Sequence, residues 1–235
     1  MEAATISIEE EWYRLIPSRF PPVNVYERLG SASLIAAAQR LEDLTNPRLA
    51  AKRRLMESPA LGQISPYRVQ NWNHAPFAYL NPEGTHWLSP AFGALDLAKD
   101  PETALIIAIE RREAFLKRTH EKAIDLDMRL LMTEVAGKFA NLENHQPISS
   151  AEERRAIGQK VYLSGSAGIL YRRADACSGR CVSVFRGDVL GKSTQSTHYK
   201  FVWDGKSITS VYNFTTGDTF RPGEIRAVAA ERWAA

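Results

Sequence analysis

The sequence is poor in the features that would settle a function at once. Its 235 residues include only two cysteines and five histidines. Cys177 and Cys181 stand in CSGRC, a C-x3-C spacing that suits zinc badly and has no second pair to complete a ligand set. They read as two ordinary thiols flanking a turn, with a redox disulfide as the sharper alternative, and so small a number does not require an oxidising compartment. The histidines, at 74, 86, 120, 145 and 198, are scattered, and no pair has the helical spacing of metal ligands. No metal is therefore expected. A Gly-rich phosphate loop, H-E-x-x-H and G-x-S-x-G are all missing. No apolar run approaches the ~18 residues of a membrane span. The stretch MEAATISIEEEWYRL carries acidic residues where a signal peptide carries basic ones. A cytoplasmic protein without membrane contact is the expectation. The net charge of +3 is a mild bias, and no helix-turn-helix with a basic face is evident, so direct DNA binding is not expected.

What is present is a globular composition, long enough for one substantial core, without repeats, low-complexity segments or a visible boundary. A single domain over residues 1–235 is expected. Residues 12–30 read as extended chain, because Pro17, Pro21 and Pro22 exclude a helix there. The run SASLIAAAQRLEDL reads as a helix capped by Ser31 and ended by Asn46-Pro47. The polar stretch from there to about Pro76 has no assignment. Asp100-Pro101-Glu102-Thr103 combines an N-cap aspartate, a proline at the first helical position and a first-turn glutamate. The helix that follows is apolar nearly all round for two turns and then strongly charged, so burial of its first half and exposure of its second are expected. Its Glu110-Arg111-Arg112-Glu113 cluster reads as a solvated face. Ser150-Ala-Glu-Glu153 is a capping box opening a further helix. The last third holds short alternating runs, GILYR, CVSVF, YKFVW and SITSVY, with Asp204-Gly205 as a hairpin signal between the last two. Residues 214–235 read as an added tail. The fold class is α+β, with helices in the first two-thirds and antiparallel-looking strands at the end.

Several segments, read in order, carry a resemblance. YRLIPSRFPP, LTNPR, APFAYLNPEGT, the DPETAL helix, DLDMRL, SAGILY, CVSVFR and FVWDG-K-S-I follow one another across residues 12–213. This ordered set resembles the longer form of the RES-domain family. The resemblance implies a compact α+β domain related to ADP-ribosyltransferases, with mixed or antiparallel strands and flanking helices. It implies toxins that degrade NAD by phosphorolysis or hydrolysis of the nicotinamide–ribose bond, or that transfer ADP-ribose to protein. Many such toxins are encoded with an Xre-type antitoxin that blocks the active site. Breaking that bond builds positive charge on the ribose, so a carboxylate stabilises the transition state, while an arginine fork holds phosphate oxygens. A small hydroxyl residue completes the trio of Arg, Glu and Ser for which the family is named.

All three positions are substituted here. His86 in Gly84-Thr85-His86-Trp87 stands at the arginine position, Ile107 at the glutamate position and Arg173 at the serine position. Histidine keeps a possible cation but loses the fork, and arginine places a long charged side chain where the sugar belongs. Isoleucine is decisive, because an alkyl group neither stabilises a cation nor moves a proton. Glu110, one turn along the same helix, is the candidate substitute acid, with Asp96 and Glu102 behind it. Tyr13, Arg14 and Arg19 survive from the N-terminal pattern and are candidate nucleotide-holding residues. The expectation is a catalytically impaired RES-fold protein that acts by binding a protein partner or a nucleotide. An Xre-type antitoxin or a related RES toxin is the expected kind of partner. No cofactor is required, and NAD is a possible substrate or ligand. Two alternatives stay open, an active NAD-consuming enzyme with a rearranged site and a structural or assembly subunit that forms an oligomer. The exposed half of the 100–118 helix and the tail after Asn213 are the candidate interaction surfaces.

Overall fold

The computed structural model describes residues 4–17, 71–78, 80–176 and 178–234, together with Ser31, Ser33, Leu34 and Ala37. Arg19, Cys177 and most of the expected helix from Ser31 lie outside the described residues. Of that helix's cap, Ser31 Oγ does accept the Leu34 N–H at 3.2 Å.

Eight strands form one sheet, in the order β1-β2-β5-β4-β3-β6-β7-β8. The strands are β1 (Ala4–Pro17), β2 (Leu95–Ala98), β3 (Ile124–Asn141), β4 (Gly168–Arg173), β5 (Gly179–Val184), β6 (Leu190–Trp203), β7 (Ile208–Asn213) and β8 (Thr219–Phe220). An additional β1–β3 pairing, from Ala4 opposite Asn141 to Pro17 opposite Met128, joins the first five strands into a ring. The ring closes through two short contacts. Tyr13 of β1 stands opposite Ala98 of β2, and Ala140–Asn141 of β3 run parallel to Ile169–Leu170 of β4. This parallel contact makes the sheet mixed, in keeping with the expected fold class, and the crossover it requires is supplied by a helix. The four helices are α1 (Asn71–Ala78), α2 (Pro101–Arg118), α3 (Ala151–Leu163) and α4 (Pro222–Ala234). Among the described residues no helix is long and apolar enough to cross a membrane.

Alternation along the strands divides the core in two. Ala98, Tyr171 and Cys181 join Leu105, Ile106 and Ile109 of α2 on one face. Their sequence neighbours Leu97, Leu170 and Val182 join Trp12, Phe139 and Phe77 of α1 on the other. Both faces being covered, β3 is buried without interruption from Met128 to Leu131. The long strands β1 and β3 therefore correct the expectation that the first two-thirds would be helical.

The opening of α2 follows its sequence signals. Asp100 Oδ1 accepts the Thr103 N–H at 2.7 Å, Oδ2 accepts the Thr103 hydroxyl at 2.8 Å, and Pro101 follows the cap. Gly179 of β5 lets the strand lie against this turn, since a Cβ there would stand 2.4 Å from Thr103 Oγ1. The capping box is present too, with Ser150 Oγ accepting the Glu153 N–H at 3.3 Å. Asp204 Oδ1 accepts the N–H groups of Lys206 and Ser207 at 2.8 Å in the β6–β7 hairpin, where Gly205 has φ +98°.

The expected tail is an integral layer instead. Ile225 and Ala229 of α4 are buried against the α2 core, and Trp233 Nε1–H donates to Asp100 Oδ2 at 3.2 Å. Arg226 pairs with Glu110 at 2.8 Å and Arg232 with Glu102 at 3.3 Å. The 225, 229, 233 spacing places these three side chains along one helical stripe. These contacts cover Asp100 at the N-cap of α2 and its Glu102 and Glu110, while Arg111, Ala114, Phe115, Lys117 and Arg118 stay exposed.

Candidate functional site around Asp96 and the motif positions

The Asn81–Leu88 segment is built to hold His86 in place. Asn81 O accepts the Gly84 N–H at 2.8 Å, Asn81 Nδ2 donates to Gly84 O at 2.7 Å, and Thr85 N–H donates to Leu88 O at 2.8 Å. Gly84 has φ +77°, and a Cβ there would lie 2.5 Å from Leu88 O, so glycine is required twice over. The turn sets the His86 ring parallel to Tyr171 of β4, with centroids 5.0 Å apart and planes 11° from parallel. Trp87 meets both rings edge-on, at 5.5 Å and 5.3 Å.

Two residues beyond Tyr171, Arg173 donates to Glu110 Oε2 at 3.3 Å, and its side chain is 12% exposed. Glu110 Oε1 accepts from Arg226 of α4 at 2.8 Å, so this carboxylate joins two guanidinium groups. Ile107, one turn earlier on α2, is half-buried and packs against the apolar core. The structure therefore gathers β4, α2 and the 81–88 turn, bringing Arg173 and Glu110 into contact and His86 onto Tyr171.

A second ion pair joins α2 to β2 with the opposite polarity. Asp96 of β2 accepts the Ser183 hydroxyl at 2.6 Å and Arg111 Nη2 at 2.7 Å. The Asp96 side chain is 7% exposed and that of Arg111 48%. Burial pushes the Asp96 carboxyl up, but Arg111, the Ser183 hydrogen bond and nearby His86 outweigh it and hold the group below the usual carboxylate range. Burial and the negative charge of Asp96 push the Tyr171 phenol well up, with Arg173 and Arg111 opposing. A depressed carboxyl contributes stability above its unfolded pKa and loses it as pH falls through the lower folded value. Asp96→Asn is accordingly expected to cost about 2–3 kcal/mol at pH 7. That cost should shrink as the pH drops below about 4, where the parent's own carboxylate protonates. Urea unfolding of parent and variant across a pH series checks this, and a pH-independent difference would contradict it.

The N-terminal candidates separate. Tyr13 and Arg14 are consecutive on β1 and point to opposite faces. The Tyr13 hydroxyl is raised by burial, Glu11 and Glu102. Arg14 donates from Nη2 to Trp72 O of α1, and its buried Nε has no partner among the described residues. Burial and Arg111 lower the Arg14 guanidinium to about 10, with Asp96 opposing.

Two readings of the sequence need correction. The 110–113 cluster is only partly exposed, and each member has a contact within the chain. Glu110 holds Arg173, Arg111 holds Asp96, Arg112 lies 5.6 Å over the Phe115 ring, and Glu113 Oε1 accepts the Ile208 N–H at 2.8 Å. Asp96, placed behind Glu110 as a substitute acid, lies at the centre of the arrangement, with Ser183, Tyr171 and Arg111 around it, none of them a site candidate in the sequence. The usable signal was a lone carboxylate inside ALDLA, a short strand otherwise apolar. Among the described residues no group of three His, Cys, Asp or Glu could hold a metal ion. A surface depression of about 420 Å³, lined by Leu116, Lys117, His120, Glu121, Gly205 and Lys206, lies at the far end of α2.

Three comparisons place the chain among known proteins. "Uncharacterized protein y4oC" of Sinorhizobium fredii (strain NBRC 101917 / NGR234) is 47% identical over 218 residues, 92% of this chain and 94% of that one. A chain in the crystal structure of the M. tuberculosis MbcT–MbcA toxin–antitoxin complex aligns with 82% of this chain and 86% of its own. The identity there is 14% and the TM-score 0.42. The model of the RES domain matches residues 65–204, from just before α1 to the end of β6, and the chain belongs to the RES domain family.

Proposed function

We propose that this RES-family protein is impaired in cleaving NAD at the family's motif positions and acts in the cytoplasm by binding a nucleotide or a protein partner. One observation carries the reading. Beside the motif positions α2 is tied to the sheet by two ion pairs, Glu110–Arg173 and Asp96–Arg111, while Ile107 adds only an alkyl group. Both carboxylates beside the motif positions are neutralised by arginine, and Arg173 stands where the family resemblance implies a small hydroxyl side chain. Losing a catalytic acid or charge-stabilising group costs about 10²–10⁴ in rate. What the site keeps is cationic character, in Arg111 and Arg173, suited to holding an anionic ligand. Family membership supports an Xre-type antitoxin or a related RES toxin as the protein partner. The unbroken sheet from β1 to β8 supports one domain over residues 1–235.

Expression in a bacterial host tests the proposal. Growth and cellular NAD should match an empty-vector control, and growth arrest with falling NAD would overturn it. A second reading, an active NAD-consuming enzyme with a rearranged site, is favoured by the ionised state of Asp96 beside Ser183. It requires Arg111 to move off Asp96 before that carboxylate can meet a substrate.

A further inference from the structure

On the α1 side of the sheet, Arg129 of β3 is 1% exposed. Its Nε and Nη2 are shut off from solvent and have no hydrogen-bond partner among the described residues. The register sets Arg129 opposite Ile16 of β1 and opposite His198 of β6. Arg14, opposite Leu131, shares the face of Ile16 and is thus the diagonal neighbour of Arg129. Its own Nε is likewise buried and without a described partner. Two arginines one diagonal step apart on one face of the sheet thus carry buried nitrogens that have no partner among the described residues.

The strand geometry gives this pair a way out to solvent. Between Arg129 and Leu131 the register against β6 shifts, so that two steps on β3 face three on β6, from His198 to Gln195. Such bulges re-aim side chains, and here Gln195 Nε2 comes within 3.2 Å of His198 Nε2. A line of polar groups runs from buried Arg129 past half-buried His198 to exposed Gln195.

A guanidinium cannot shed its proton to escape burial, and an unpaired buried cation is among the costliest features a fold can carry. Asp96, the carboxylate coupled to Arg14, already has both oxygens engaged by Ser183 and Arg111. Asp127 shares the Arg129 face two residues earlier and stands opposite Lys200, yet Arg129 Nε and Nη2 stay without a partner among the described residues. We propose that Arg129 and Arg14 form a binding site for a phosphate group, held by both guanidinium groups, with His198 and Gln195 at its mouth. The site lies across the sheet from His86, Ile107 and Arg173, and it does not depend on whether NAD is cleaved.

Thermal unfolding of the full chain tests it, with inorganic phosphate or AMP replacing chloride at matched ionic strength. A hundredfold excess over Kd should raise Tm by roughly 5–10 °C. Arg129→Gln should lose the rise. Arg186→Gln, which removes an equal charge from an exposed pair with Asp188, should keep it. A rise with both ligands marks the phosphate group as sufficient, and a rise with AMP alone marks a phosphate ester, each in support. Should Arg129→Gln fail to fold, Arg129→Lys keeps the charge but loses the fork, and at least tenfold weaker binding is expected. A parent indifferent to both ligands overturns the proposal, since a carboxylate of the chain itself would then match the charge. An undiminished rise in the Arg129 variants overturns it as well, by placing the anion elsewhere.

Discussion

An Ile107→Glu, Arg173→Ser, His86→Arg triple variant is expected to consume NAD at least a hundredfold faster than the parent, whose rate should stay at background. Each change acts on a different obstacle. Glutamate at 107 supplies a carboxylate that no arginine on the same helix turn already holds. Serine at 173 removes the guanidinium that engages Glu110 and empties the volume it fills. Arginine at 86 replaces a ring committed to stacking on Tyr171 with a fork that grips two phosphate oxygens. A hundredfold is the lower end of what one acid or charge-stabilising group contributes. Groups acting on one transition state are not additive, so the single variants should recover much less than a third of the logarithmic gain. A triple variant as inert as the parent, though folded, would contradict the assignment of these three positions.

Gly158→Ala should be the most damaging small substitution in the neighbourhood. Gly158 is buried on α3, and a Cβ there would stand 1.8 Å from Trp87 O and 3.0 Å from Trp87 Cβ. Two effects oppose each other. Alanine in a helix interior is favoured over glycine by about 1 kcal/mol. Against this, the obstacle is backbone, which cannot rotate aside, and forced overpacking costs about 1–3 kcal/mol or more. At 1.8 Å the clash dominates, and a net loss of about 3 kcal/mol is expected, a fall in Tm of roughly 6–12 °C. The helix or the 84–88 turn must shift, which would also draw His86 off Tyr171. Urea and thermal unfolding measure the loss. A variant as stable as the parent would show that α3 does not seat against Trp87 as described.

The parts of this fold legible in the sequence are those fixed within a few residues. Asp100-Pro101, the Ser150 capping box and Asp204-Gly205 each satisfy backbone groups three or fewer positions away, and all three lie where their local chemistry puts them. β1 and β3 were harder, because their pattern is set by partners more than a hundred residues apart in the chain. Leu126, Met128 and Leu130 do alternate with Asp125, Asp127 and Arg129, but burial of both faces from Met128 to Leu131 blurs the period. The tail misled for a similar reason, since Ile225, Ala229 and Trp233 gain meaning only once α2 lies beneath them. At the site, the motif positions could be counted from flanking residues. The ion pairs beside them could not, because Arg111 meets Asp96 across 15 positions and Arg173 meets Glu110 across 63. A charged residue looks the same in sequence whether it is solvated or locked in a buried pair. The lone aspartate in β2 was the one hint.

NAD consumption by the purified parent protein, with and without phosphate, tests the central claim most directly. Two ion-paired carboxylates and an alkyl group at the acid position predict no loss of NAD beyond the buffer control in either condition. Turnover in either one would contradict the account, and Glu110→Ala beside Asp96→Asn would then show which carboxylate had been freed to act.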